Sequence, residues 1–222
     1  VGVSSGWVRW LATWQEALEQ YGTITLAEID DSLRKLGKEL SVEVTSFQTN
    51  SEGAMCERIH QAFVDNVDAV IGYISSGDCL AVAPVAEELK RLTIFFDCGT
   101  PRIFEDASYK YVFRTGATAT MDNVAAALYL AENKPGIKKF AGINQNYAWG
   151  QDSWNDFEAS MKVLKPGVEV ATSQMPKLGA GQYGAEISSL LGSGADVVHS
   201  SLWGGDLEAF ILQASPRGLF KK

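Results

Sequence analysis

Two strand-to-helix junctions in the first half of the sequence carry groups suited to holding a small anion. At the first, the run Ile71-Gly72-Tyr73-Ile74 leads into Ser75-Ser76-Gly77 and then into a helical stretch. Hydroxyls and backbone N–H groups at a helix N-terminus form a seat for a carboxylate, but serine there is also an ordinary cap. Both readings of Ser76 stand on the residues alone. The second junction is Phe95-Phe96-Asp97-Cys98-Gly99-Thr100-Pro101. Gly99 permits close approach to the backbone and Thr100 offers a hydroxyl and an N–H, while Asp97 either faces an ammonium group or starts a turn. In the second half the equivalent junctions are aromatic: Asn146-Tyr147-Ala148-Trp149-Gly150 and Trp203-Gly204-Gly205-Asp206. Tyr147, Trp149 and Trp203 would give a cleft apolar walls with a polar edge, although a single such ring is also ordinary packing. Near the start, Trp7, Arg9 and Trp10 form a bulky cationic group that either lines a pocket or packs outside it, and Trp10 is carried as a ligand-site candidate.

The sequence lacks the short signatures of common chemistries: GxSxG, HExxH, a Walker A loop and GxGxxG after a strand. Its two histidines, His60 and His199, have no evident nucleophile as partner, and His199 falls within a strand where a hydrogen-bonded core residue is the simpler reading. No catalytic residue, metal or cofactor is expected, and the chain is expected not to be an enzyme. A formal net charge of −8 argues against a nucleic-acid partner, which would need a basic face. The three cysteines, Cys56, Cys79 and Cys98, fit neither a zinc spacing nor a CxxC pair. Buried free thiols are the plainest reading. Cys79 with Cys98 is the pairing to test, because each follows one of two strands expected to be neighbours.

These junctions must be positioned by the elements around them. With 222 residues, 46% hydrophobic and 21% charged, the chain can bury a substantial core. Strand-like runs at 1–4, 42–47, 69–73, 93–96 and 111–114 alternate with helical stretches at 10–36, 54–64 and 80–89. The rhythm restarts with helices at 121–133, 153–164, 183–191 and 207–214 and strands at 139–143, 168–173 and 196–202. Such alternation builds parallel sheets covered by helices, with the ligand crevice at the carboxyl ends of the strands. The small, uncharged stretch 115–120 is the weakest point between halves, with Thr120 as a cap for the next helix. The domains are therefore expected at 1–117 and 118–222. No apolar run approaches the length of a membrane span. The sequence opens within a strand and without a leader, so either processing or trimming is expected ahead of Val1.

A family resemblance rests on specific segments. Asp68-Ala69-Val70-Ile71-Gly72, Ser75-Ser76-Gly77, Ala81 to Glu87, Tyr111-Val112-Phe113-Arg114-Thr115, Tyr147 to Gly150, Leu202 to Asp206 and Gln213-Ala214 resemble the branched-chain amino-acid type of periplasmic solute-binding protein. The resemblance implies the type I periplasmic binding fold, an α/β architecture of two Rossmann-like lobes with parallel sheets. Family members continue past residue 222, so the second lobe is expected to be incomplete. It also implies an extracytoplasmic, periplasmic component of an ABC importer that closes by a hinge on an amino acid or related small carboxylate or amide and hands it to a membrane permease. By position, Ser76, Gly99 and Thr100 look like first-lobe anchors of the ligand, and Trp149 and Trp203 replace second-lobe residues that are often tyrosines. The first loop departs from the family pattern, with Trp7, Arg9 and Trp10 in place of a short turn. A sensory ligand-binding domain of the same fold is the alternative, and a hydrolase acting on a small amide is a third reading.

Overall fold

The computed structural model describes residues 67–221, the strands β1 (Gly2–Ser4) and β2 (Thr45–Phe47), and residues 31, 34, 35 and 38. The expectations at 10–36 and 54–64, with His60, Cys56, Trp7, Arg9 and Trp10, fall largely or wholly outside the described residues. Two compact units divide the chain, Val1–Ala117 and Thr118–Lys222.

In the first unit, β1 and β2 pair in parallel with β3 (Ala69–Gly72), β4 (Leu92–Phe95) and β5 (Val112–Arg114) in the order β2-β1-β3-β4-β5. Helix α1 spans Ser76–Glu88, and Ser75 caps it by accepting the Asp78 N–H. The helix therefore begins four residues before the expected residue 80, because the two serines serve its first turn. Cys79, Val82, Ala83 and Ala86 recur at helical spacing and are buried against Val70, Phe95 and Val112. A short helix α2 (Arg102–Glu105) brings Ile103 into the same core.

The second unit has a three-stranded parallel sheet in the order β7-β6-β8, with β6 at Lys139–Ile143, β7 at Glu169–Gln174 and β8 at Val197–Ser200. Its helices are α3 (Ala119–Asn133), α4 (Ala148–Leu164), α5 (Gly184–Gly192) and α6 (Gly204–Ala214). Central β6 is buried from Phe140 to Ile143, and its side chains alternate between two cores. Phe140 packs with Ala127, Trp154, Phe157 and Met161, whereas Ala141 and Ile143 pack with Ile187, Leu190, Phe210 and Ala214. Helices thus cover both faces of the sheet. Gly142 is required where it stands, since a Cβ would collide with the Trp154 ring. Burying Phe140 and Phe157 completely contributes about 1.5–3 kcal/mol each.

Capping differs from expectation where the second unit starts. Thr118, not Thr120, caps α3 by accepting the Met121 N–H at 3.2 Å. Thr120 lies inside the helix and donates to Asp156 Oδ2 at 2.7 Å. Helices α4 and α6 likewise begin earlier than expected, so Tyr147 and Trp203 occupy N-cap positions.

Cys79 and Cys98 form a disulfide with Cα atoms 6.4 Å apart, which corrects the free-thiol reading for this pair. Parallel pairing of β3 with β4 brings the two residues into range. Titration of the denatured, unreduced chain should find one thiol among its three cysteines. A count of three would refute the bond.

Candidate ligand-binding site

In a doubly wound parallel sheet, the crevice forms where successive connections leave for opposite faces. The first unit's order puts that point between β1 and β3. Tyr73, immediately after β3, is buried with φ of 78°, a conformation that costs a non-glycine residue about 1–2 kcal/mol. The Phe95 ring meets it edge-on, with centroids 5.7 Å apart. Ser76 and Thr100 lie together: the Thr100 N–H donates to Ser76 Oγ at 3.1 Å, and both residues are buried. Gly99 is buried between Cys98 and Thr100. Asp97 is exposed on the bend after β4.

Arg114, at the end of β5, escaped the sequence reading as a site residue. Its Nη1 donates to the carbonyls of Cys98 at 3.1 Å and Thr100 at 2.6 Å, and its guanidinium lies over the Phe104 ring. The Cys98–Gly99 peptide bond is trans, so the Gly99 N–H points to the opposite side from the Cys98 carbonyl and away from Arg114. Burial lowers the Arg114 pKa, against a smaller opposing effect of Glu105. This loop is therefore held from three sides, by Arg114, by Ser76 and by the disulfide.

The second unit's switch point lies between β6 and β8. Asn144, fully buried just after β6, accepts the Ser201 N–H at 2.9 Å and the Ser201 hydroxyl at 2.7 Å. Trp149 Nε1 donates to the Ser201 carbonyl at 3.0 Å, and Trp203 Nε1 donates to Tyr147 Oη at 2.7 Å. The three aromatic candidates are thus brought together, each half-buried. Gly150 makes the arrangement possible, because a Cβ there would strike the Gln145 backbone. Gly204 turns into α6 with φ of 57°.

Behind the wall, Gln145 Nε2 donates to Asp206 Oδ2 at 2.7 Å and the Gly179 N–H donates to the same oxygen at 2.8 Å. Burial opposes ionisation of Asp206, but Tyr183, Gln145 and the backbone N–H groups of Gly179 and Gly181 outweigh it and lower the pKa. The Tyr183 hydroxyl lacks a well-aligned hydrogen-bond partner, and burial and the Asp206 carboxylate raise its pKa. Asn144, Ser201 and Asp206 were not singled out from sequence. Asp206 stood in a quoted motif, but its buried role depends on a residue 61 positions away.

His199 is half-buried and packs against the core. It stacks on Phe157 at 4.2 Å, and its Nε2 donates to Asn123 Oδ1 at 2.6 Å, a direction fixed because Asn123 Nδ2 donates to the Ala119 carbonyl. Burial lowers its pKa to about 4. No cluster among the described residues could hold a metal ion, and no described helix is long and apolar enough to cross a membrane.

A family model described as periplasmic binding protein matches residues 34–222. The chain belongs to the periplasmic binding protein family. Among solved structures, it is similar to an ABC-transporter solute-binding protein from R. palustris in complex with 4-hydroxybenzoate (24% identity, TM-score 0.73, 81% of this chain and 48% of that one). One from Rhodopseudomonas palustris BisB5 with 3,4-dihydroxybenzoic acid gives 22% identity and TM-score 0.75 over 87% and 54% of the two chains. A leucine-binding protein from Thermotoga maritima gives 20% identity and TM-score 0.70 over 98% and 61%. The type I periplasmic binding fold is thereby established, and the chain spans about half to three-fifths of these proteins' lengths.

The expectation that the chain is not an enzyme is corrected by curated relatives. A 3-dehydroquinate dehydratase from Leptothrix cholodnii is 66% identical over 53 residues, 24% of this chain and 36% of that protein. The same enzyme from Syntrophotalea carbinolica is 46% identical over 79 residues, covering 30% and 52%. The chain therefore spans about a third to a half of these enzymes.

Two outcomes test this geometry. Asn144→Ala leaves the Ser201 N–H and hydroxyl without their buried acceptor and should cost about 1–3 kcal/mol of stability in denaturant unfolding. An unchanged midpoint would show that the bridge is dispensable. For His199, the folded pKa lies below the ordinary value of 6.5, so stability falls as pH drops from 6.5 toward about 4, where only the unfolded chain takes up the proton. His199→Gln should flatten that part of the melting-temperature profile, and a parallel profile would contradict the assignment.

Proposed function

We propose that the chain acts as the extracytoplasmic, periplasmic solute-binding part of an ABC importer, capturing a small carboxylate and presenting it to a membrane permease. The observation that carries this reading is the build of both sheets at the carboxyl ends of their parallel strands, where polar ties hold the junctions. Family membership and the benzoate and leucine complexes of similar proteins support it. Ser76, Gly99 and Thr100, with Asp97 at the rim, serve as the carboxylate and ammonium end of the site. Ser76 Oγ accepts from Thr100 N–H and keeps its own proton to donate. Trp149, Trp203 and Tyr147 cover the rest of the solute, and Trp10 belongs to the same proposal as a lining residue. Capture proceeds by hinge motion at 115–120, driven by contacts that the solute makes with both units.

The dehydratase identity favours a second reading, in which part of the chain retains an enzyme's capacity to bind or turn over 3-dehydroquinate. Loss of water from this β-hydroxy ketone yields a conjugated enone, visible in the ultraviolet. Growth of that absorbance with the purified chain would establish the second reading.

For the carrier reading, calorimetry and thermal shift against leucine, benzoate, hydroxylated benzoates and small amides should find at least one solute that binds and raises the melting temperature. Silence across the panel would sink it. With the solute found, Ser76→Ala should weaken binding by about 1–3 kcal/mol. Unchanged affinity would leave Ser76 as a latch to Thr100.

A further inference from the structure

We propose that the second unit selects solutes whose uncharged end is a flat, unsaturated ring. This rests on the carrier reading, and it is carried by the hydrogen bonds of the aromatic wall. An indole can recognise a ligand through its N–H or through its ring. Here both N–H groups are already committed, Trp149 to the Ser201 carbonyl and Trp203 to the Tyr147 hydroxyl. What remains of the two indoles for a solute is ring surface. The two wall loops, Asn146 to Gly150 and Leu202 to Gly205, carry no charged side chain, so they offer a solute no side-chain counter-ion.

The wall is also rigid. Asn144 ties the end of β6 to Ser201, the backbone contact at Gly150 fixes the start of α4, and Asp206 anchors the start of α6 to Gln145. Rings held this way keep one orientation, and a fixed π-surface rewards a planar partner by stacking or edge-to-face contact beyond the area it buries. An aliphatic side chain of equal size gains the area alone. The same rigidity removes the adaptability that a site for varied aliphatic chains would use.

A matched set of probes tests this: benzoate, cyclohexanecarboxylate and leucine, by calorimetry and by quenching of tryptophan fluorescence. Benzoate and cyclohexanecarboxylate share a carboxylate and a six-membered ring and differ in flatness. Two ring contacts at the usual strength of aromatic pairs predict that benzoate binds about tenfold more tightly than cyclohexanecarboxylate. Trp203→Leu should shrink that ratio to about twofold, and Trp203→Phe, which keeps a ring and loses the N–H, should preserve most of it. Circular dichroism and the melting temperature identify variants that fold. Equal binding of benzoate and cyclohexanecarboxylate, tighter binding of leucine, or a ratio untouched in folded Trp203→Leu and Trp149→Leu would overturn the inference and leave the carrier reading standing. No binding by any of the three, with no thermal shift across the wider panel, would overturn both.

Discussion

Where the winding of a parallel sheet reverses, the helices that follow two adjacent strands lie on opposite faces, and the loops at the carboxyl ends of those strands must part. In the second unit the two strands are β6 and β8, with α4 on one face and α6 on the other. The gap cannot be closed by apolar packing, because the backbone groups that border it are polar and still need partners. Asn144 bridges it. One carbonyl oxygen receives the N–H and the hydroxyl of Ser201, and the Ser201 carbonyl then fixes Trp149. The wall's geometry follows from that bridge.

The first unit solves the same problem with a cation and a covalent bond. Arg114 gathers the carbonyls of Cys98 and Thr100, the disulfide joins Cys98 to α1, and Ser76 accepts from Thr100. A guanidinium suits this position, since one planar group can satisfy two carbonyls and still lie over the Phe104 ring. In the second unit the corresponding charge is the Asp206 carboxylate, which gathers N–H donors instead. Each charge, half-buried at Arg114 and buried at Asp206, is thus met by groups of opposite polarity, which offsets the cost of drawing it out of water.

Most of the strands were legible because their burial imposes a pattern. The run at 139–143 is apolar after its first residue and bounded by polar ends, and it became β6 with the same limits. Helix starts were less legible. The apolar periodicity of α4 is clear from Ser153 onward, but its first turn is set by Gly150 fitting against Gln145, a contact invisible in spacing. The same holds at α3, where two threonines two positions apart compete to cap and tertiary contact with Asp156 takes Thr120 away. In the candidate site, the aromatic residues announced themselves by type. Asn144, Ser201 and Arg114 did not, because their roles come from partners on other strands and from carbonyls, which every residue has.

The two kinds of kinship carried by the chain bear on different physical levels. Membership of the binding family extends over residues 34–222 and is expressed in strand order, helix faces and loop placement, features that many sequences can satisfy. Identity of 66% over 53 residues is local and preserves particular side chains, which is the level at which chemistry resides. A shared fold at 24% identity or less therefore fixes where a solute site can form and leaves its contents open. Those contents depend on which groups the fold has already consumed. At the carboxyl ends of the second sheet's strands it has consumed both indole N–H groups and both available protons of Ser201, so the indoles there keep only their rings for further contact.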